Sequence, residues 1–325
     1  MTRTTRERVE EYLAMRRSLG YRLVTDARML RGFADWLEGT GQTTVTVAAA
    51  LAWANLPAEA SADARSRRLT MVRGFARYLA AYDPACEVPP LDLLPTRRSR
   101  PEPYIYTPRE IAALVHAAGT LAAPLQAATM QTVVSLLAVT GLRIGEAVGL
   151  NRDDVHLDRG QLTVLGKNGL VRRVPLHPTT VTMLGSYAAR RIRLCPAAAS
   201  SSAFFVTATG HRVSDRALQA AFGRLVALAG ISTPGRRRPR VHDLRHSLAV
   251  STLVGWYRAG LDVQAHLPVL STLLGHSSPA HTFWYLQATP ELLALAADRL
   301  ESRRSGDTSP TGCGQAGSEG QEVVS

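Results

Sequence analysis

QLTVLGKNGLVRRVPL, residues 161–176, breaks a pattern that is otherwise helical. Gln161 to Leu165 is apolar and β-branched, Gly166-Lys167-Asn168-Gly169 has turn composition, and Leu170 to Leu176 reads as a return strand. The stretch predicts a β-hairpin. Its surroundings carry helical spacing instead. Helix signals precede it near 107–115 and 124–139, the first with Thr107 and Glu110 placed as a capping box. They follow it near 178–193, 214–229, 243–255, 267–274, 279–286 and 289–302. The expected fold class is mainly α with a small β-hairpin or sheet.

Toward the N-terminus the chain changes character. Residues 1–95 hold four helical segments, near 5–19, from Thr25 to the glycines Gly39 and Gly41, near 47–54, and near 62–81. In the fourth, Leu69, Val72, Phe75 and Leu79 share one face, while Arg65, Arg68, Arg73 and Arg77 share the other. That basic face suits either solvent or DNA phosphates. Residues 96–106 are rich in Pro and Arg, which resists helix and favours an extended connection. The expected layout is a helical domain at 1–95, a linker at 96–106, a second domain at 107–303, and a Gly/Ser/Thr-rich disordered tail at 304–325. No internal repeat is visible.

Composition bounds the function. The chain has 325 residues and 46% apolar content, enough for two ordinary domains. No run of 18 uncharged apolar residues exists. Charged residues from Arg3 to Arg17 leave no room for a signal-peptide core, so a cytoplasmic location is expected. Cys86, Cys195 and Cys313 are far apart and form neither a disulfide framework nor a CxxC metal pair. The net charge of +12 points to a polyanion, most often nucleic acid. Of 38 basic residues, 37 are Arg and one is Lys167. A guanidinium is effectively never deprotonated, whereas an ammonium can give up its proton. The lone lysine therefore marks either a codon-usage accident or a position that needs an amine.

Several polar residues of the second domain sit at conspicuous points. Arg143 is flanked by Gly141 and Gly145 at a helix junction, with Glu146 just beyond. His242 and Arg245, three apart, share one face at the start of a helix that continues through His246. Leu274-Gly275-His276 is a helix stop, and Tyr285 follows nine residues after His276 on an apolar segment. Taken singly, each fits a bland role: a surface arginine, cap or core histidines, a packed tyrosine.

Taken together, Arg143, Lys167 in its hairpin turn, His242-x-x-Arg245, Leu-Gly-His276 and Tyr285 resemble the tyrosine recombinases, also called the phage integrase family. The resemblance covers 107 to about 302 strongly and 1–95 only in kind, as a helical DNA-clamping (SAM-like) domain. It implies a site-specific recombinase acting on double-stranded DNA as an oligomer, a tetramer by family habit, alone or beside related recombinases. Arg143 and Arg245 would grip the phosphate, Tyr285 would attack it, and Lys167 would protonate the leaving oxygen. His242 would assist proton transfer, His276 would bond the phosphate, and Glu146 would orient a neighbour. No cofactor, metal or ATP is implied, and no GxxxxGK[ST] loop is present. Arg236, Arg237, Arg238 and Arg240 stand where a phosphate clamp could form.

The sequence also departs from the family. Between Arg245 and His276 it is longer by roughly two helical turns, and that addition contains Tyr257, a rival nucleophile on residue type. The apolar face at 290–300 either packs on its own domain or docks on a neighbouring subunit. Two other readings stay open: a DNA-binding accessory protein that no longer cuts, and a type IB-like topoisomerase.

Overall fold

The computed structural model describes residues 3–21, 23–56, 58–94, 102–166, 169–232, 238–276, 278, 280–287 and 290–304. Lys167, Arg236, Arg237, most of the expected linker and almost all of the expected tail lie outside them. The chain divides into two compact units, residues 1–101 and 102–325. No helix among the described residues is long and apolar enough to cross a membrane.

The first unit packs α1 (Thr5–Ser18), α2 (Val24–Gly39), α3 (Val47–Asn55) and α4 (Ala62–Leu79) around one core. Val9, Leu13, Phe33, Leu37, Leu69, Val72 and Phe75 are fully buried there. Side-chain oxygens of Thr4, Thr46 and Ser61 cap α1, α3 and α4, each accepting a backbone N–H of the first turn. The basic face expected on α4 is divided. Arg73 is buried, and its guanidinium donates to the carbonyls of Pro89, Pro90 and Leu91, pinning the chain after α4 onto the helix. Arg68 stacks on Trp53, 3.6 Å from the ring centroid, and donates to the Trp53 carbonyl. Arg65 donates to the Ala58 carbonyl. Of the four arginines, only Arg77 is exposed. Arg73 is thus a correction: reading α4 as two faces put it in solvent or on DNA, whereas carbonyls converge on it and make its burial affordable.

The second unit is built on α6 (Pro124–Thr140), which is buried nearly all round. It packs against α5 (Pro108–Gly119), α8 (Pro178–Leu194), α9 (Asp215–Leu228) and α10 (Asp243–Arg258). The Thr107–Glu110 capping box is present. Strands β2 (Gln161–Leu165) and β3 (Val171–Pro175) form the hairpin, with Leu165 opposite Val171 and Val164 opposite Arg172. A third strand, β1 (Val155–His156), pairs antiparallel with β2. Two residues carry too little alternation for that strand to be visible in sequence. A short helix, α7 (Ile144–Gly149), follows α6 after a sharp turn.

Beyond α10 the elements differ from the sequence expectation. Helix α11 runs Val263–Leu274 with Pro268 inside it, where the spacing placed only 267–274. Asp262 caps it by accepting from the amides of Gln264 and Ala265, and Val263, Leu267, Leu270 and Leu274 bury one stripe. That cap and stripe outweigh the single hydrogen bond a proline removes. The expected helix at 279–286 is one turn of α12 (Ala280–Phe283) followed by a 3₁₀ turn, Trp284–Gln287. The last helix, α13 (Pro290–Arg304), packs on α10 of its own unit through the fully buried Leu292.

Candidate active site

The junction between α6 and α7 places the first cation. Gly141 ends α6 in the left-handed region at φ 63°, which an L side chain rarely adopts. A Cβ there would lie 2.7 Å from the Leu274 side chain, so only glycine lets the turn sit against α11. Arg143 then caps α7. Its backbone N–H donates to Glu146 Oε2 at 2.9 Å, its Nη1 to Glu146 Oε1 at 2.8 Å, and its Nη2 to the Gly275 carbonyl at 3.0 Å. The first glycine-flanked turn is thereby tied to the turn that carries His276.

Glu146 is nearly buried and is shared by two arginines. Arg172 of β3 forms a bidentate pair with it, at 3.1 and 2.8 Å, and donates from Nε to the Leu273 carbonyl at 3.2 Å. Burial alone would raise the Glu146 carboxyl, but the bonds from Arg172 and Arg143 outweigh it and hold the pKa below the usual range. Arg172 was not singled out in sequence. Its signal was the hairpin alternation: a charged residue opposite the buried Val164 must face inward and find an acid.

Arg245, on the first turn of α10, is 2% exposed. Its Nη1 donates to the Gly141 carbonyl at 2.7 Å, while its Nη2 is buried with no well-formed hydrogen bond. Burial and the neighbouring Arg143 charge lower its pKa to about 10, with Tyr285 and Glu146 pulling the other way. It remains charged at neutral pH.

Three histidines and Tyr285 complete the cluster. The His276 ring stacks beside the Tyr285 ring, centroids 6.0 Å apart and planes 19° apart, and its Nδ1 is hydrogen-bonded to Thr282 at 2.8 Å. Tyr285 is 2% exposed, and its hydroxyl lies 3.2 Å from Nδ1 of His246. His242 and His246 meet edge to face at 4.8 Å. Burial first, and then Arg245, Arg143 and other cations, lower the His276 pKa to about 3. His242 is lowered in the same direction by burial and by Arg245, and is tempered by water because it is the most open of the three.

The structure thus brings Arg143, Glu146, His242, Arg245, His276 and Tyr285 into one cluster, and adds Arg172, His246 and Thr282. Of the expected clamp, Arg240 donates its backbone N–H to Asp243 and pairs with it at 3.5 Å, and Arg238 donates to the Gly223 carbonyl. Tyr257 is on the last turn of α10, half-buried against the cluster that contains Leu253 and Leu267. Among the described residues no group of three or more His, Cys, Asp or Glu side chains could hold a metal ion.

Known proteins resemble this chain in sequence and in fold. The model of the phage integrase family matches residues 105–291. A putative integrase/recombinase, y4rB of Sinorhizobium fredii, is 41% identical over 307 residues, 92% of this chain and 98% of its own length. Tyrosine recombinase XerD of Mycobacterium tuberculosis is 34% identical over 240 residues, 72% of each chain. A lambda integrase tetramer bound to a Holliday junction shares the fold, with TM-score 0.62 at 17% identity over 87% of this chain and 77% of that one. By the match over more than half of its length and the near-full-length likeness to y4rB, the chain belongs to the phage integrase family and is a tyrosine-type site-specific recombinase.

Proposed function

We propose that this recombinase cuts and rejoins double-stranded DNA through a 3′-phosphotyrosine on Tyr285. The observation that carries the reading is the buried, charged guanidinium of Arg245 set beside the Tyr285 hydroxyl, its Nη2 holding no well-formed hydrogen bond. A buried guanidinium donor left without a well-formed bond is costly, and a phosphate oxygen would satisfy it. Arg143 and Arg245 would bind the non-bridging oxygens and stabilise the charge that grows as phosphorus becomes pentacoordinate. Tyr285 would attack, and Lys167 would give its proton to the departing 5′ oxygen. The phosphodiester energy stays in the phosphotyrosine, so a 5′-hydroxyl of another strand can reverse the step without ATP.

Residues 1–95 and the catalytic domain at 107–303 would each contact the duplex, with the exposed Arg77 of α4 as one phosphate contact. Arg238 and Arg240, with Arg236 and Arg237 beside them in sequence, would extend that contact. The active assembly would be a tetramer on two duplexes; lambda integrase, which shares the fold, forms a tetramer on a Holliday junction.

The test is incubation with supercoiled plasmid in EDTA, followed by denaturation and detection of protein-linked DNA. Wild type is expected to form the adduct and relax the plasmid, and Tyr285→Phe to bind DNA without either. An adduct that survives in Tyr285→Phe overturns the assignment. DNA binding with no adduct, even on a sequence selected for binding, shifts the reading to an accessory protein.

A further inference from the structure

The resemblance assigns proton handling to His242, yet the Tyr285 hydroxyl rests on a different ring. We infer that His246 is a further catalytic residue, whose Nδ1 takes the phenolic proton of Tyr285 as the tyrosine oxygen attacks phosphorus. The inference rests on Tyr285 being the nucleophile.

The contact is 3.2 Å, from the hydroxyl to Nδ1. The ring has little freedom to leave it. Trp284 and Tyr285 each lie 5.4 Å from its centroid, and His242, one helical turn earlier, crosses it at 4.8 Å and 90°. The charged and titratable groups that face it are His242 and Arg245 on its own helix, Arg240 just before that helix, His276 from the turn after α11, and the Tyr285 hydroxyl. Burial first, then His242 and these cations, lower its pKa to about 3. The ring is therefore neutral at pH 7, with a lone pair available to accept the phenol proton.

So weak a base leaves the tyrosine protonated while the site is empty. A phosphodiester anion seated against Arg245 would offset the part of the depression that this cation causes and raise the basicity of His246. Proton transfer is then coupled to substrate arrival. In the cleavage step the Tyr285 oxygen–phosphorus bond forms and the bond from phosphorus to the 5′ oxygen breaks. The phenolic proton moves to His246 Nδ1, and the leaving oxygen takes its proton from Lys167. Rejoining reverses each transfer, and His246 returns the proton to Tyr285.

His246→Asn separates proton transfer from placement, because its Oδ1 can accept the same hydrogen bond but cannot titrate. Adduct formation would be followed from pH 6 to 10 in EDTA, on supercoiled plasmid carrying a sequence selected for binding by the full chain. The expected result is a loss of about 100-fold or more at pH 7 with DNA affinity unchanged. The deficit should shrink toward pH 10, where the phenol ionises unaided. A rate within about threefold of wild type, or a deficit constant across the range, overturns the proposal. Tyr285→Phe runs alongside: an adduct there removes the nucleophile reading itself, a failure distinct from any His246→Asn result. Histidine ¹⁵N NMR of the DNA-free chain gives a second readout that needs no turnover. His246 Nδ1 is expected to be unprotonated at pH 7 and to shift in Tyr285→Phe. A protonated Nδ1 overturns the proposal.

Discussion

Replacing Arg172 by Ala should loosen the hub on which the site is hung, by an amount the geometry sets. The side chain is 13% exposed and makes two charge-assisted bonds to Glu146, itself 5% exposed, plus one bond to the Leu273 carbonyl. Stripping every partner from a buried carboxylate costs about 3–5 kcal/mol. Glu146 would not be stripped, because the Arg143 side chain and backbone N–H still reach it at 2.8 and 2.9 Å. The expected loss is therefore about 2–3 kcal/mol, between one charged hydrogen bond and two. That is roughly 30- to 150-fold in the local opening constant. Hydrogen exchange read by mass spectrometry on the full chain would measure it, with peptides from α7 and β3 set against α1–α4 as an internal reference. Arg172→Lys should recover little, because a point charge cannot match the bidentate geometry.

The pH dependence is a second constraint on the same reasoning. Glu146 has its carboxyl pKa lowered in the folded chain. Its stabilisation is fully present above the unfolded value, about 4.3, and is lost as pH falls through the lower folded value. The gap between wild type and Arg172→Ala should therefore be constant from pH 7 to about 5 and close below about 4. A gap under about 0.5 kcal/mol at pH 7, or one that persists undiminished at pH 3, would refute the claim that the Arg172–Glu146 pair holds this junction.

Four further outcomes can be measured. Gly141→Ala should destabilise the second unit by about 1–3 kcal/mol in denaturant titration, since φ is 63° and the added Cβ meets Leu274 at 2.7 Å. Gly255→Ala, inside α10 with nothing within 4 Å of the new atom, should stabilise by about 0.5–1 kcal/mol. Arg73→Ala should lower the stability of the first unit by freeing three carbonyls, whereas Arg77→Ala should leave stability alone and cut the salt slope of DNA binding by about 1; the reverse pattern sinks the division of the α4 face. His246 and His276, both depressed to about 3, bind fewer protons folded than unfolded below about pH 6.5, so stability should fall on acidification through that range. A bound phosphate-bearing duplex should reduce that loss, as seen in urea titrations at pH 5 and 7.

Much of this was legible in the chain because the signals were local. The hairpin at 161–176, the Thr107 capping box and the glycine ahead of Arg143 are each written within a few residues. Tyr285, His276 and Arg245 carried recognisable spacing. The basic face of α4 was misread because periodicity separates apolar from polar residues but cannot see what lies opposite. Carbonyls of Pro89 to Leu91 return to Arg73 from a segment with no regular period. His246 and Arg172 were passed over for a similar reason. Their partners, Tyr285 and Glu146, lie 39 and 26 residues away in sequence, and only packing brings them together.

The electrostatics of the cluster give physical meaning to the ratio of 37 arginines to one lysine. Arg143, Arg172 and Arg245 surround one carboxylate, and the donors not taken by Glu146 rest largely on backbone carbonyls, which carry no charge to offset them. Burial and the Arg143 charge depress Arg245, and these cations add to the burial that depresses His242 and His276. A guanidinium tolerates this: Arg245 falls only to about 10 and stays charged at pH 7. An ammonium starts about two units lower and releases its proton far more readily in such a field. Lysine at Arg245 would hold its charge less firmly at a position proposed to grip the phosphate. Under the proposed mechanism the one side chain that gives a proton to the 5′ oxygen is Lys167, and an ammonium, unlike a guanidinium, can release one. Fixed charge calls for arginine and mobile charge for lysine, and the sequence places its single lysine in the hairpin turn next to β3, the strand that carries Arg172.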